Sequence, residues 1–184
     1  MKTLVYVPRM FTRGEFQKLV MRVPDDFDST WNEYWEYVSD RLRVVASKIR
    51  WVYTDSGSHE EGESSIVGES AIVAGLVTTG TGVKVQAAVD PILVAEAEAW
   101  REMARKSPSQ VLREMYDESL GEIGRHVFDV VDQTLEDGEM GVLFLDPLLK
   151  ISFSEKLRVI RLFPFDPQDY LIRHRVMLMK GNST

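Results

Sequence analysis

Three aspartates stand where apolar runs end: Asp55 after 49–53, Asp90 after 83–89 and Asp146 after 141–145. In an open parallel sheet, ligands settle beyond the carboxyl ends of the strands. Carboxylates gathered there would offer the oxygen ligands that a hard divalent cation such as magnesium requires. His59, in Asp55-Ser-Gly-Ser-His59-Glu60-Glu61-Gly-Glu63, adds an imidazole. A divalent metal on Asp55, His59 and Asp146 would acidify its bound water and polarise a bond under attack, which is the chemistry of a metal-assisted hydrolase. The plainer account is that aspartate before Ser or Pro does turn and capping work. His59-Glu60-Glu61 also lacks the second histidine of a zincin helix.

Cations supply the other chemistry. Arg9 follows the first apolar run directly after Pro8, and Arg125-His126 lies in a long helical pattern with Glu118, Glu122 and Asp129. Arg9 and Arg125, as planar five-donor forks, are candidates to clamp a small anionic ligand, with Asp90 and His126 orienting it. Glu122 and His126 are four apart and share a helix face, so His126 is also a candidate general base. Helix-surface ion pairing explains the same residues without a ligand.

Several classes are excluded by what is missing. The 184 residues contain no cysteine, which removes disulfides, thiolate catalysis, cysteine zinc sites and iron–sulfur clusters. Thr78-Thr79-Gly80-Thr81-Gly82 lacks the Gly-Lys-Ser/Thr ending of a phosphate loop, and it precedes a strand where a dinucleotide fingerprint follows one. Gly68-Glu-Ser70-Ala-Ile departs from a nucleophile elbow at the second glycine. The net charge of -7 repels phosphate backbones, so no nucleic-acid partner is expected. No run reaches the roughly 18 apolar residues of a membrane span, and the opening MKTLVYVPRM has no small-residue cleavage site. A cytoplasmic location follows as the expectation.

The elements that must position these residues alternate along the chain. Residues 3–7 and 49–53 read as strands. Between them, Trp31, Tyr34, Val38, Leu42 and Val45 recur at helical spacing behind the capping residues Asp28 and Ser29. Residues 14–21 fit one or two helical turns before Pro24. A buried helix is expected over 64–76 and a strand over 83–89. Pro91 opens a helix to about 104. From Ser107 a long helix carries Val111, Leu112, Met115, Leu120, Ile123, Val127, Val131 and Leu135 on one face. Strands over 141–145 and 157–163 and a helix over 168–177 complete the pattern. An apolar fraction of 44% can fill a core. The reading is one α/β domain over 1–180 with a frayed tail at 181–184. Its mostly parallel open sheet has about five strands and helices on both faces. The link between the fourth and fifth strands is short on helix, which leaves room for one antiparallel edge strand. A homo-oligomer is expected.

The segment Arg125-His126 through Thr134-Leu135-x-x-Gly138-Glu139-x-Gly141-Val-Leu-Phe-Leu145 resembles a prokaryotic α/β family loosely similar to the TraB and erythromycin-esterase-like group. That resemblance covers about a fifth of the chain and implies an α/β fold. The family's pattern has Arg-Asp where this chain has Arg125-His126. It has a histidine in the loop after the Gly-Glu-x-Gly strand, where this chain reads Asp146-Pro147-Leu148-Leu149-Lys150. It has a His-Thr pair after the first strand, where Phe11-Thr12 stands. The missing histidines count against inherited hydrolase or metal chemistry.

Overall fold

The computed structural model describes residues 1–55, 68–80, 82–107, 109–149 and 151–180, the last six without their side chains. Its centre is a five-stranded sheet in the order β3-β2-β4-β1-β5. The strands are β1 (Lys2–Pro8), β2 (Ile49–Thr54), β3 (Lys84–Ala87), β4 (Met140–Leu145) and β5 (Leu157–Arg161). The helices are α1 (Arg13–Leu19), α2 (Phe27–Val45), α3 (Glu69–Thr79), α4 (Pro91–Lys106), α5 (Gln110–Thr134) and α6 (Pro167–Lys180).

Every strand pair is parallel, so the antiparallel edge strand left open by the sequence does not occur. β5 runs beside β1, with Lys2 opposite Leu157 and Tyr6 opposite Arg161. A parallel neighbour needs a crossover. Here the irregular segment between β4 and β5 supplies it, packing Leu149, Ile151 and Phe153 against the sheet in place of a helix.

Alternation along the central strands decides the two cores. Val5, Val7, Val142 and Phe144 face one side, where they meet Phe16 of α1, Tyr34, Trp35, Val38 and Leu42 of α2, Leu76 of α3 and Tyr170 of α6. Leu4, Leu143 and Leu145 face the other, against Leu120, Ile123, Val127 and Val131 of α5. Strands covered on both faces must be apolar at nearly every position, which is why 141–145 is an unbroken apolar run. Each fully buried leucine or phenylalanine there stabilises the fold by about 1.5–3 kcal/mol.

One expectation fails. The helix expected to be buried over 64–76 is described from Glu69, and only Glu69 and Leu76 of it are buried. α3 carries the chain from β2 to β3 at the rim of the sheet, so just one side of it finds a neighbour. Its small apolar residues remain open to solvent despite a strongly apolar composition.

Candidate functional site at the carboxyl edge of the sheet

The strand order fixes where a cleft must open. The connections leaving β1 and β2 cross one face through α1, α2 and α3, moving toward β3. The connection leaving β3 returns over the other face through α4 and α5, and the segment leaving β4 stays on that face. Thus β1 and β4 are hydrogen-bonded neighbours whose chains depart to opposite sides. That is the topological switch point at which open α/β sheets bind ligands.

Arg9 occupies it. Its backbone N–H donates to the Leu145 carbonyl at 2.6 Å, tying the end of β1 to the end of β4. Its guanidinium is 13% exposed. Nη1 and Nη2 donate to the two oxygens of Glu15 at 3.1 and 2.9 Å, a bidentate pair. Nε donates to Asp55 Oδ2 at 3.3 Å. Asp146 Oδ2 lies 3.9 Å from Nη2, and Glu69 Oε2 lies 4.0 Å from Nε.

Local chemistry places each carboxylate. Glu15 closes a capping box with Thr12: Thr12 Oγ1 accepts from the Glu15 amide, and Glu15 Oε2 accepts from the Thr12 amide at 2.7 Å. Sequence reading missed this residue, although Thr12-x-x-Glu15 is the signature of that motif. Asp146 Oδ1 accepts from the Leu148 amide at 2.8 Å, which folds the chain back after β4. Glu69 opens α3 behind Gly68, whose φ of +104° suits only glycine. A Cβ on Gly68 would lie 3.0 Å from the Trp31 ring and 3.1 Å from Trp35 Nε1. The backbone ahead of Glu69 is therefore pressed against α2, and the side chain enters the cluster from a fixed point.

The electrostatics divide the four acids. Burial would depress the Arg9 guanidinium, but Asp55, Glu15 and Asp146 overrule it and hold the group more firmly protonated than usual. Burial raises the Glu15 carboxyl, yet its bonds to Arg9 and Thr12 win and pull it below the ordinary carboxylate range. Asp146 moves up through burial, with Asp55 and Glu15 adding to the rise while the Leu148 amide and Arg9 oppose it. Glu69 is pushed up to about 7 by burial and by Asp55, against the pull of Arg9. Its Oε2 is buried without a hydrogen-bond partner.

Of the residues expected to act, Arg9, Asp55 and Asp146 do meet. Arg9 meets carboxylates, however, and three of its five N–H donors bond Glu15 and Asp55. Asp90 does not join them. It is the N-cap of α4, accepting from the Ile92 amide at 2.8 Å, as the turn-chemistry account has it. Arg125 is exposed and pairs with Glu122 at 3.5 Å. Among the described contacts, none joins Arg125 or His126 to the cluster. His59 lies outside the described residues. Among those described, no group of three or more histidine, aspartate or glutamate side chains has the spacing to hold a metal ion.

Beside the cluster, a cavity of about 270 Å³ opens over the ends of β1 and β5. Tyr6, Arg161, Asp166 and Gln168 supply its polar wall, and Ile151 and Phe153 are among its apolar residues. Burial and the nearby Asp166 push the Tyr6 hydroxyl up to about 12 although Arg161 opposes the shift, so it is a neutral donor at ordinary pH.

No family model matches this chain, and neither a curated protein nor a solved structure does. Among the described residues no helix is long and apolar enough to cross a membrane.

Proposed function

We propose that this α/β chain binds a small anionic ligand with an apolar body at the carboxyl edge of its sheet. The observation that carries the reading is the cavity over β1 and β5, where Arg161 is the cation in a wall that also holds Tyr6, Asp166, Gln168 and apolar side chains, and where the Asp166 carboxylate already accepts from the Gln168 backbone amide. An anionic head paired with Arg161 would leave its apolar body against Ile151 and Phe153. Pockets of this mixed kind, apolar with a few converging polar groups, are the usual form of small-molecule sites.

Ligand-observed NMR with benzoate and hexanoate tests the reading. Saturable binding that weakens about tenfold in Arg161→Ala, a loss of about 1.4 kcal/mol, is the expected result. Equal binding to both proteins, or none to either, would refute it.

A second reading, a self-associating subunit, is favoured by the exposed side of α3, where Ala71, Ala74, Gly75 and Val77 face solvent. Light scattering on the purified chain decides it, and a monomer at all concentrations would reject it.

A further inference from the structure

We propose that the cluster of Arg9, Glu15, Asp55, Glu69 and Asp146 is a binding site for the ammonium group of a small organic amine, with the Glu69 carboxylate as its direct acceptor. This goes beyond the anion reading and does not rest on it. The cavity is walled by Tyr6 and the segment after β4, whereas Glu15 and Glu69 reach the cluster from α1 and α3 on the other face.

Charge is the first argument. A single guanidinium faces four carboxyl groups, and among the described residues no second cation pairs with any of them. An anion would be repelled from such a place, and a cation drawn to it.

The unsatisfied atom is the second. Glu69 is 8% exposed, and its Oε2 has no hydrogen bond. A buried carboxylate oxygen left without a donor costs on the order of 1–3 kcal/mol or more. A donor brought by a ligand would satisfy it.

Geometry selects the kind of cation. A divalent metal would need several oxygens at about 2.0–2.6 Å. Here Arg9 Nε stands between Asp55 and Glu69, at 3.3 and 4.0 Å from their oxygens. An ammonium group needs only one to three acceptors at about 2.7–3.2 Å, each on its own N–H.

Acid–base behaviour gives an internal control. The charged and titratable groups facing Glu69 are Arg9 beyond β1, Glu15 of α1, Asp55 beyond β2 and Asp146 beyond β4. Burial, Asp55 and Glu15, opposed by Arg9, set the Glu69 carboxyl near 7, so protons compete with an amine for it. An alkylamine stays charged throughout this range, and its affinity therefore rises with pH.

Isothermal titration of the full chain with putrescine, at constant ionic strength, tests the proposal. Saturable one-to-one binding is expected near pH 8, weakening about thirtyfold near pH 5.5. Glu69→Gln should lose about tenfold near pH 8 while keeping its circular dichroism spectrum and cooperative melting, and Arg161→Ala should bind as the parent does. The pH profile of the parent chain carries the test if Glu69→Gln does not fold. Absence of saturation up to about 10 mM, which corresponds to less than about 3 kcal/mol of binding, would overturn the proposal. So would equal affinity in Glu69→Gln, a flat pH profile, or magnesium chloride binding at the cluster more tightly than putrescine. Because the anion reading is probed with carboxylates at Arg161, either can fail alone.

Discussion

Replacing Arg9 with methionine keeps the aliphatic stem and deletes the one guanidinium that the described residues bring to the acidic cluster. Removing one partner of a buried ion pair costs about 3–5 kcal/mol, because the other partner stays buried and uncompensated. Two of the acids limit the loss: Glu15 is 39% exposed and Asp146 34%, so water takes over part of what Arg9 did for them. Asp55 at 14% and Glu69 have no such relief. The lower end of the range, about 3 kcal/mol near pH 8, is the expected deficit, or a melting temperature lower by about 6–12 °C for a chain of this size. The pH dependence gives the sharper signature. Without Arg9, Glu15 keeps only its Thr12 bonds against burial, and the Glu69 and Asp146 carboxyls lose the cation that pulls them down, so burial raises these two further. A carboxyl raised in the folded state stabilises below its unfolded pKa and loses that contribution as pH rises. The deficit of Arg9→Met must therefore shrink between pH 8 and pH 5. Urea unfolding at both values measures it. A deficit under about 1 kcal/mol, equal at the two pH values, would show that the cluster is screened by solvent and would sink the reasoning.

Two further outcomes follow from the same chemistry. The Glu69 carboxyl rises from 4.5 to about 7 on folding, so the parent chain should lose up to about 3 kcal/mol as pH climbs through that window, at about 1.4 kcal/mol per pH unit. Glu69→Gln should abolish this slope and be the more stable protein near pH 8; parallel stability profiles would contradict the assignment. The buried Tyr34 hydroxyl donates to the Pro8 carbonyl, so Tyr34→Phe leaves that carbonyl without its donor. It should cost about 1–3 kcal/mol in chemical denaturation, and a neutral result would mean that water or another donor replaces the hydroxyl.

How far the sequence reveals this arrangement depends on the residue. The 3.6-residue face of α5 and the apolar run of β4 announce themselves, because burial on a helix stripe or on both sides of a strand constrains every position. Arg9, Asp55 and Asp146 are found for a related reason: a polar residue ending an apolar run marks a strand's edge. Their partnership is not legible, since a guanidinium and a carboxylate far apart in sequence advertise nothing of their pairing. Glu15 carried a signal in its capping box, and Glu69 carried one as a lone acid in the apolar stretch from Ile66 to Val73. Arg125 and His126 share a helix face with Glu122, and that spacing serves a surface ion pair as well as a site; the structure shows the ion pair. β5 was the ambiguous strand because its crossover lacks the periodic signature of a helix.

The place of β1 in the sheet bears on how this protein is made. Its two neighbours, β4 and β5, are the last of the five described strands to be synthesised: Thr3 waits for Met140, and Lys2 for Leu157. At about 5–20 residues per second, β1 spends roughly 7–30 s outside the ribosome without a partner. Throughout that time Leu4, Val5 and Val7 are exposed on a strand with two open edges, the condition that invites aggregation or chaperone capture. Closure of the sheet is thus a late event joining its first strand to its fourth and fifth. Such long-range pairing folds slowly for its size, and the Arg9 cluster, which draws on β1, β2 and β4 together, cannot assemble before it.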